Sequence, residues 1–418
     1  MSETQVADQP STPPLLVRLH DDVVVVAEVN TGLRAWALKG KDRLIASVII
    51  SPGAPTSLAI DDTAKSADRV NISIGFDDGR FAIYALAKQE RKFVLQYSHA
   101  PSTNGAIHAI AYASPYLLTM TGEPLLSLYK IEANLNNIAG DVLGAPRLLS
   151  SLRSHSAYPP ISLSIRASSA AIVASIAYAM PTWTMGWSVG LQEVRLTSTG
   201  TIVDSRMGSA LTKPFTIPSI HQSSPNSSPL GPSSLASSNH DLGHQRMPPI
   251  TKPTSLSYNH PYLLSAHADN TLTLYMVTSN TEELSIGAGS RLWGHTSSVS
   301  GAHVGDRGKA VSVSALGNEL RVWELEGGLS SSASRKRART GEASVQIRPE
   351  SELVSRTSKL EGAVGLNVAD AIRSELALRQ DHGETNVTKG WVAFDEEKVV
   401  LLREKMQGPQ ALVVYDFS

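Results

Sequence analysis

The sequence predicts an all-β fold built from one repeated unit. Runs of about four to seven apolar or alternating residues recur along the 418 residues, separated by Asp, Asn, Gly and Pro. Many runs carry Val, Ile, Tyr or Trp, which favour a pleated, half-buried surface. No series of helix-length patterns alternates with these runs, which argues against a parallel βαβ sheet.

The repeat is clearest when Ser255–Val277 is aligned with Ala109–Ile131, which requires no gap. Each segment reads as strand, turn, strand, turn, strand. The first turns contain Asn259-His260-Pro261 and Ala113-Ser114-Pro115, residue types that suit a chain reversal. The coinciding residues are Tyr258/Tyr112, Pro261/Pro115, Tyr262/Tyr116, Leu263/Leu117, Leu264/Leu118, Leu272/Leu126, Leu274/Leu128 and Tyr275/Tyr129.

The same pattern recurs in five further segments. Three antiparallel strands are marginal alone, whereas stacking the units around an axis buries both faces of each sheet. The sequence therefore predicts a seven-bladed β-propeller over residues 15–418, with fourth strands between copies, for example at Arg43–Ile50 and Lys92–Tyr97. The alternative is a β-sandwich with regularly spaced strands. The five segments are Leu16–Leu38, Ser57–Leu86, Ile161–Leu196, Val299–Leu325 and Trp391–Phe417.

Six copies carry an aromatic residue near the end of the third strand, and Ile161–Leu196 lacks one. A polar or turn-forming residue often lies six positions earlier. The aromatic residues are Trp36, Tyr84, Tyr129, Tyr275, Trp323 and Tyr415, and the earlier residues are Asn30, Asp78, Glu123, Asp269 and Gly317.

These features resemble the WD40 repeat family. Gly294-His295 resembles the Gly-His start of a repeat, and Trp323-Glu324 resembles its Trp-Asp end. The resemblance implies that His295, a turn Asp and Trp323 form a hydrogen-bond network that pins a blade. We expect this network to be degraded, because the turn position is Gly317 and the copies with Asp78 or Asp269 lack Gly-His.

The closing segment, Lys389–Asp395 through Val414–Phe417, is similar to fungal proteins that carry an F-box followed by WD repeats. That resemblance implies the substrate-recognition subunit of a cullin-RING ubiquitin ligase, with an F-box adaptor as partner. We find no F-box and expect Met1–Pro14 to be disordered. The last blade would then lack its outer strand, or the chain would be a piece of a longer protein.

Two insertions are predicted to be disordered, the Ser/Pro-rich stretch 208–249 and the stretch 328–385. Within the second, Ala369–Gln380 has the spacing of a short helix. The second also carries a basic run, for which the hypotheses are nuclear localisation, contact with an acidic partner, or a solvated linker. Its residues are Arg335, Lys336, Arg337 and Arg339.

No catalytic, cofactor or metal site is predicted. The segment Gly186–Gly190 fits the G-x-S-x-G pattern, but a nucleophile elbow needs a following helix, and a strand pattern follows here. A serine hydrolase using Ser188 is therefore the least favoured alternative. His240 and His244 have metal-like spacing, but they lie in the Ser/Pro-rich stretch, where solvated side chains are the expectation.

The amino-acid composition excludes some kinds of site and argues against some kinds of partner. The chain has no cysteine, which excludes disulfides, thiolate metal sites and a cysteine nucleophile. A formal net charge of −1 gives no overall attraction to nucleic acid or anionic membranes. No apolar run reaches the roughly 18 residues of a membrane helix. We therefore expect a cytoplasmic or nuclear scaffold that binds protein or peptide partners. The family resemblance implies a role in a ubiquitin ligase, and the basic run favours the alternative, a nuclear or ribosome-assembly role.

Overall fold

The strands of the chain are described by a computed structural model. It describes residues 2–7, 16–38, 43–50, 52–61, 63, 68–123, 125–132, 143–153, 158–167, 171–182, 186–197, 199, 201–210, 251–305, 308–314, 319–325, 344–347, 385–394, 398–405 and 410–416. Within these ranges there is no helix long and apolar enough to cross a bilayer.

Among the described residues, the first half of the chain contributes seventeen strands, numbered in chain order. They are β1 (Ser2–Ala7), β2 (Leu16–His20), β3 (Val23–Glu28), β4 (Gly32–Ala37), β5 (Leu44–Val48), β6 (Pro55–Ile60), β7 (Arg69–Phe76), β8 (Phe81–Ala87), β9 (Lys92–Ser98), β10 (Ile107–Ala113), β11 (Tyr116–Thr121), β12 (Leu125–Lys130), β13 (Arg147–Arg153), β14 (Tyr158–Ala167), β15 (Ile172–Pro181), β16 (Trp187–Leu196) and β17 (Ile202–Ser209).

The second half contributes twelve more. They are β18 (Pro253–Asn259), β19 (Tyr262–His267), β20 (Leu272–Ser279), β21 (Leu284–Ile286), β22 (Ser290–Leu292), β23 (Val299–Val304), β24 (Lys309–Ser314), β25 (Leu320–Glu324), β26 (Ser344–Ile347), β27 (Thr385–Phe394), β28 (Lys398–Lys405) and β29 (Gln410–Asp416). The fourth strands predicted at Arg43–Ile50 and Lys92–Tyr97 are β5 and β9.

These strands form seven antiparallel sheets. Sheets 1 to 4 are β2–β5, β6–β9, β10–β13 and β14–β17, sheets 5 and 6 are β18–β22 and β23–β26, and sheet 7 is β27–β29 with β1. The first strand of each sheet packs beside the first strand of the next, and β27 packs beside β2. This closed series of first strands is a β-propeller, so the all-β propeller prediction is confirmed and the sandwich alternative is wrong.

Alternate residues of one strand enter different cores, one on each side of its sheet. In β3, Val23 and Val25 pack in a cluster with residues of sheet 2. The intervening Val24 and Val26 pack against sheet 7. Because a strand points successive side chains to opposite faces, an almost unbroken apolar run means that both faces of the sheet are buried.

The N-terminal segment closes the last sheet. We expected Met1–Pro14 to be disordered, and this is wrong for Ser2–Ala7, which pairs antiparallel with β29 from Ser2↔Val414 to Ala7↔Gln410. An unpaired strand edge presents a row of backbone donors and acceptors, and a segment of ordinary composition can satisfy them. At the same seam, buried Lys398 forms an ion pair with Asp22 of sheet 1.

The predicted insertions also need a correction. The stretch 328–385 was expected to be disordered, yet it contains β26, which pairs with β25 as the outer strand of sheet 6. It also contains Thr385, the first residue of β27. The stretch 208–249 begins inside β17. Residues 211–250 and Ala369–Gln380 lie outside the described residues, so both remain predictions there.

We predict that deleting Ser2–Ala7 lowers the free energy of unfolding by about 3 kcal/mol. The deletion removes several backbone hydrogen bonds to β29, each of which contributes roughly 1 kcal/mol. Denaturant unfolding would measure the loss.

The matched control moves Ser2–Ala7 behind Ser418 through a short Gly-Ser linker. Because Ser2 lies opposite Val414, near the end of β29, the moved strand can return as a hairpin and should restore stability. Equal stability of the deleted and intact proteins would contradict this role for β1.

Candidate interaction surface

The ring has two faces, which the direction of the strands distinguishes. The upper face is the face at which the first strand of each sheet begins. The connections between second and third strands reach this face too, so the turns with Asp78 and Asp269 lie on it. Loops presented by a rigid scaffold are the usual place for partner contacts.

An upper aromatic cluster, formed by Tyr158, Trp187 and Lys252, lies where sheets 4 and 5 meet. The rings of Tyr158 and Trp187 are 6.2 Å apart between centroids and cross at 88°. Lys252 Nζ lies 5.0 Å from the Trp187 ring centroid, in cation–π geometry. Tyr158 is 45% exposed and Lys252 is also exposed, while Trp187 is half-buried. The cluster therefore offers apolar area and one positive charge to solvent.

The strands explain why these residues meet. Tyr158 begins β14, Trp187 begins β16, and Lys252 directly precedes β18, which packs beside β14. All three positions are therefore at the upper ends of adjacent strands. The hairpin of β15 and β16 has ten registered pairs, whereas the corresponding hairpin of sheet 1 has six. At about 3.3 Å per residue, sheet 4 is the taller of the two.

Lys252 differs from the arginines of the same face in whether a carboxylate lies within ion-pair distance. Four of these arginines lie beside carboxylates. The pairs are Arg34–Glu28 at 3.1 Å, Arg80–Asp78 at 3.6 Å, Arg291–Asp269 at 3.3 Å and Arg321–Glu319 at 2.8 Å. Within the described part of the chain, neither Lys252 nor Arg153, exposed at the upper end of β13, is in such an ion pair.

A polar network joins several residues within sheet 6. The indole Nε1 of Trp323 donates to Ser312 Oγ at 2.7 Å, and the same oxygen lies 2.6 Å from His295 Nε2. Since the Glu319 carboxylate beside Nδ1 can only accept, the proton of neutral His295 lies on Nδ1, and the Ser312 hydroxyl donates to Nε2. That Nδ1 is 3.4 Å from Glu319 Oε2.

Glu319 fills the acidic position that the repeat pattern assigned to the turn. It accepts from the Thr296 N–H at 2.8 Å and from Arg321 Nε at 2.8 Å. Burial alone would raise the pKa of Glu319, but these donors outweigh it and hold the pKa below its usual value. Gly317, the predicted turn residue, lies outside the described residues. Glu319 directly precedes β25 and is two residues from Arg321, a spacing that places two side chains on the same side of an extended chain. This spacing is visible in the sequence.

Sheet 5 has a second network without a Gly-His start. His267 Nε2 lies 2.9 Å from Ser265 Oγ and 3.2 Å from Thr273 Oγ1. Burial lowers the pKa of His267. Asp269 accepts from the Thr271 hydroxyl at 2.6 Å in the adjacent turn, and burial raises the pKa of the nearby Tyr275 to about 12. The histidine here lies on the second strand.

The remaining predicted blade residues occupy corresponding places. Asp78 accepts from the Arg80 N–H at 3.0 Å in the turn between β7 and β8. The aromatic residues all lie on third strands, where they pack between sheets, and the indole Nε1 of Trp36 is buried without a hydrogen-bond partner. These aromatic residues are Trp36 on β4, Tyr84 on β8, Tyr129 on β12, Tyr275 on β20, Trp323 on β25 and Tyr415 on β29.

Sheet 4, which lacks that aromatic residue, is tied to sheet 5 by a buried carboxylate that the sequence analysis missed. Glu193 is fully buried and accepts from Arg166 Nη2 at 2.7 Å and from Arg206 Nη2 at 3.2 Å. Ser279 Oγ and the Tyr258 hydroxyl of sheet 5 donate to it at 2.6 and 3.4 Å. A buried charge with this many donors is compensated, and it links the two sheets.

Ser188 is not placed for nucleophilic attack. It is 7% exposed and lies second in β16, which continues as a strand instead of turning into a helix. Packing explains why residue 190 is a glycine, because a Cβ there would come within 2.6 Å of the Tyr178 ring. The nucleophile-elbow alternative has no support in this geometry.

The other candidate residues lie outside the described residues. They are His240, His244, Arg335, Lys336, Arg337 and Arg339. Nuclear localisation therefore stays a prediction, which imaging a fluorescent fusion with the four basic residues changed to Ala would test. Among the residues that the structure covers, no group of three potential metal ligands occurs.

We predict that acid weakens the protein partly through His295. Burial lowers the pKa of His295 to about 4 in the folded state, against about 6.5 when unfolded. The unfolded state therefore takes up the proton first, and stability present above pH 6.5 is lost as the pH falls towards 4. At 1.36 kcal/mol per pKa unit, the loss is about 2–3 kcal/mol.

His295→Gln should flatten this pH dependence in denaturant unfolding between pH 7 and pH 4.5. The exposed His108 offers a matched control, since His108→Gln should keep the steep dependence. Parallel curves for His295→Gln and the wild type would refute the assignment.

We predict that Glu193→Gln lowers the free energy of unfolding by about 3 kcal/mol. The change leaves two guanidinium groups without their buried countercharge. Glu283→Gln is the control, because this exposed residue of sheet 5 should cost less than about 0.5 kcal/mol. Chemical denaturation compares the two, and equal small effects would mean that Glu193 does not link the sheets.

The chain is similar to several known proteins. A family model described as the β-propeller of F-box protein pof12 matches residues 1–418. The WD40 β-propeller domain of Doa1 has 10% identity and a TM-score of 0.42, covering 99% of this chain and 95% of that one. Saccharomyces cerevisiae Sqt1 has 8% identity and a TM-score of 0.48, covering 99% and 98%.

The β-propeller domain of Myceliophteria thermophila Cps50 (Swd1) has 10% identity and a TM-score of 0.43, covering 100% of this chain and 99% of that one. No curated protein matches significantly. The predicted resemblance to WD40 propellers and to F-box proteins with WD repeats is confirmed. Because the family model matches the whole length, the chain belongs to the F-box protein pof12 β-propeller family.

Proposed function

We propose that the seven-sheet ring is a protein-interaction scaffold whose upper face binds a protein partner. The observation that carries the proposal is the upper aromatic cluster, which exposes Tyr158 and part of Trp187 on a rigid frame. Exposed aromatic residues are enriched among the residues that dominate protein binding. The three residues of the cluster do not include a nucleophilic side chain beside a general base. Binding is therefore the activity that the chemistry of the cluster supports.

We further propose that the protein recognises substrates for a cullin-RING ubiquitin ligase. The support is the family, which is described as the β-propeller of an F-box protein. In this arrangement an F-box adaptor would connect the protein to the cullin, and the ring would hold the substrate. The upper aromatic cluster supplies a surface for substrate that is separate from the seam between β1 and β29.

We predict that the natural full-length protein co-purifies with an F-box adaptor and a cullin. The double variant Tyr158→Ala, Trp187→Ala should lose the substrate from the purified complex and keep the adaptor and the cullin. Loss of both rings should weaken substrate binding at least tenfold, since a buried aromatic anchor contributes about 2 kcal/mol or more. Quantitative mass spectrometry of the purified complexes measures each component.

Lys309→Glu serves as the matched control, because Lys309 is exposed and lies at the lower end of β24. This variant should retain the adaptor, the cullin and the substrate. Purification without adaptor and cullin would overturn the ligase role. Unchanged partners in the double variant would overturn the upper face as the binding surface.

A further inference from the structure

We propose that the partner of the upper aromatic cluster is an acidic, apolar peptide segment. It would place a carboxylate beside Lys252 and an aliphatic or proline side chain against Trp187 and Tyr158. This inference rests on the proposed scaffold function and names the chemical class of its partner.

The positive charge of Lys252 is the first argument. The four paired arginines of this face have their charges balanced by carboxylates of the chain, as described above. Lys252 has its ammonium over an aromatic ring instead, with no described carboxylate within ion-pair distance. An ammonium group that lies over a ring, and not beside a carboxylate, attracts an anion without breaking an existing ion pair. Arg153, at the upper end of β13 in sheet 3, is a second exposed cation of this face.

The crossed rings are the second argument. Tyr158 and Trp187 meet nearly at right angles, which leaves an angled apolar surface beside the ammonium. A small aliphatic or proline side chain fits such a surface, and it buries apolar area that solvent now contacts. The anion and the apolar side chain must therefore lie close together in the partner, as in a short peptide segment.

The anion fits a carboxylate better than a phosphate. Phosphopeptide sites characteristically use clusters of arginine, whose fork-shaped guanidinium groups bind two oxygens at once. Two guanidinium groups of this face, those of Arg291 and Arg321, already contact carboxylates. A single ammonium group is a point charge that suits a singly charged carboxylate.

The test is selection from a phage-displayed library of random octapeptides on the purified full chain. The wild type should enrich peptides with Asp or Glu beside Leu, Val or Pro. Lys252→Glu should lose that enrichment and select Lys or Arg at the same place. Trp187→Ala should select no common motif, and the lower-face control Lys309→Glu should match the wild type. Thermal unfolding confirms that each variant is folded.

Affinity for the most enriched acidic peptide gives a second measurement. Lys252→Gln should weaken binding about threefold to tenfold in 50 mM NaCl, and the difference should shrink in 500 mM NaCl because salt screens exposed charges. A Glu-to-phosphoserine version of the peptide should bind no better than the Glu version.

The outcomes separate the two proposals. If Lys252→Glu and the wild type select the same peptides while Trp187→Ala loses them, the acidic partner is wrong and the scaffold surface stands. If phosphoserine improves binding more than tenfold, a phosphopeptide replaces the acidic segment. If the wild type enriches no more than Trp187→Ala, the acidic-peptide inference fails, whereas the scaffold proposal is judged by the co-purification.

Discussion

Each sheet of this protein has two apolar faces, and the neighbouring sheets cover them. In β24, Val311 and Val313 pack towards sheet 7, while Ala310 packs towards sheet 5. Burying one such valine contributes about 1.5–3 kcal/mol, so a sheet with one bare face would lose several contributions of that size. An open row of sheets would leave two bare faces at its ends, whereas a ring leaves none. Closure of the ring is therefore the constraint on which the other features depend.

The same packing makes a polar group buried between sheets costly unless it finds a hydrogen-bond partner. Sheet 6 provides the partner as one serine hydroxyl shared by His295 and Trp323. Sheet 5 uses a histidine from its second strand, and sheet 4 uses the carboxylate of Glu193 with partners from sheet 5. The requirement is common to all three, but the side chains that meet it differ. This freedom explains why the repeat is hard to see in sheet 4.

The architecture could be predicted because strand patterns are local, whereas the candidate surface depends on which strand ends meet. The third-strand aromatic residues and the fourth strands at β5 and β9 followed from spacing alone. Strand β1 did not, because its pairing is set by the free edge of β29 and not by its own polar composition. Tyr158, Trp187 and Lys252 lie far apart in the chain, and they meet only because β14 packs beside β18. Glu193 was missed because its charged partners, Arg166 and Arg206, lie on other strands.

The pairing of Ser2 with Val414 has a consequence for how the protein is made. Strand β1 is translated long before β29, the strand with which it pairs. At about 5–20 residues per second, the stretch of chain between Ser2 and Val414 takes roughly 20–80 seconds to synthesise. During that time the growing chain is an open arc with an apolar sheet face at each end. A chaperone that shields those two ends would therefore be most useful before β29 is made, and it would be released when β1 and β29 join.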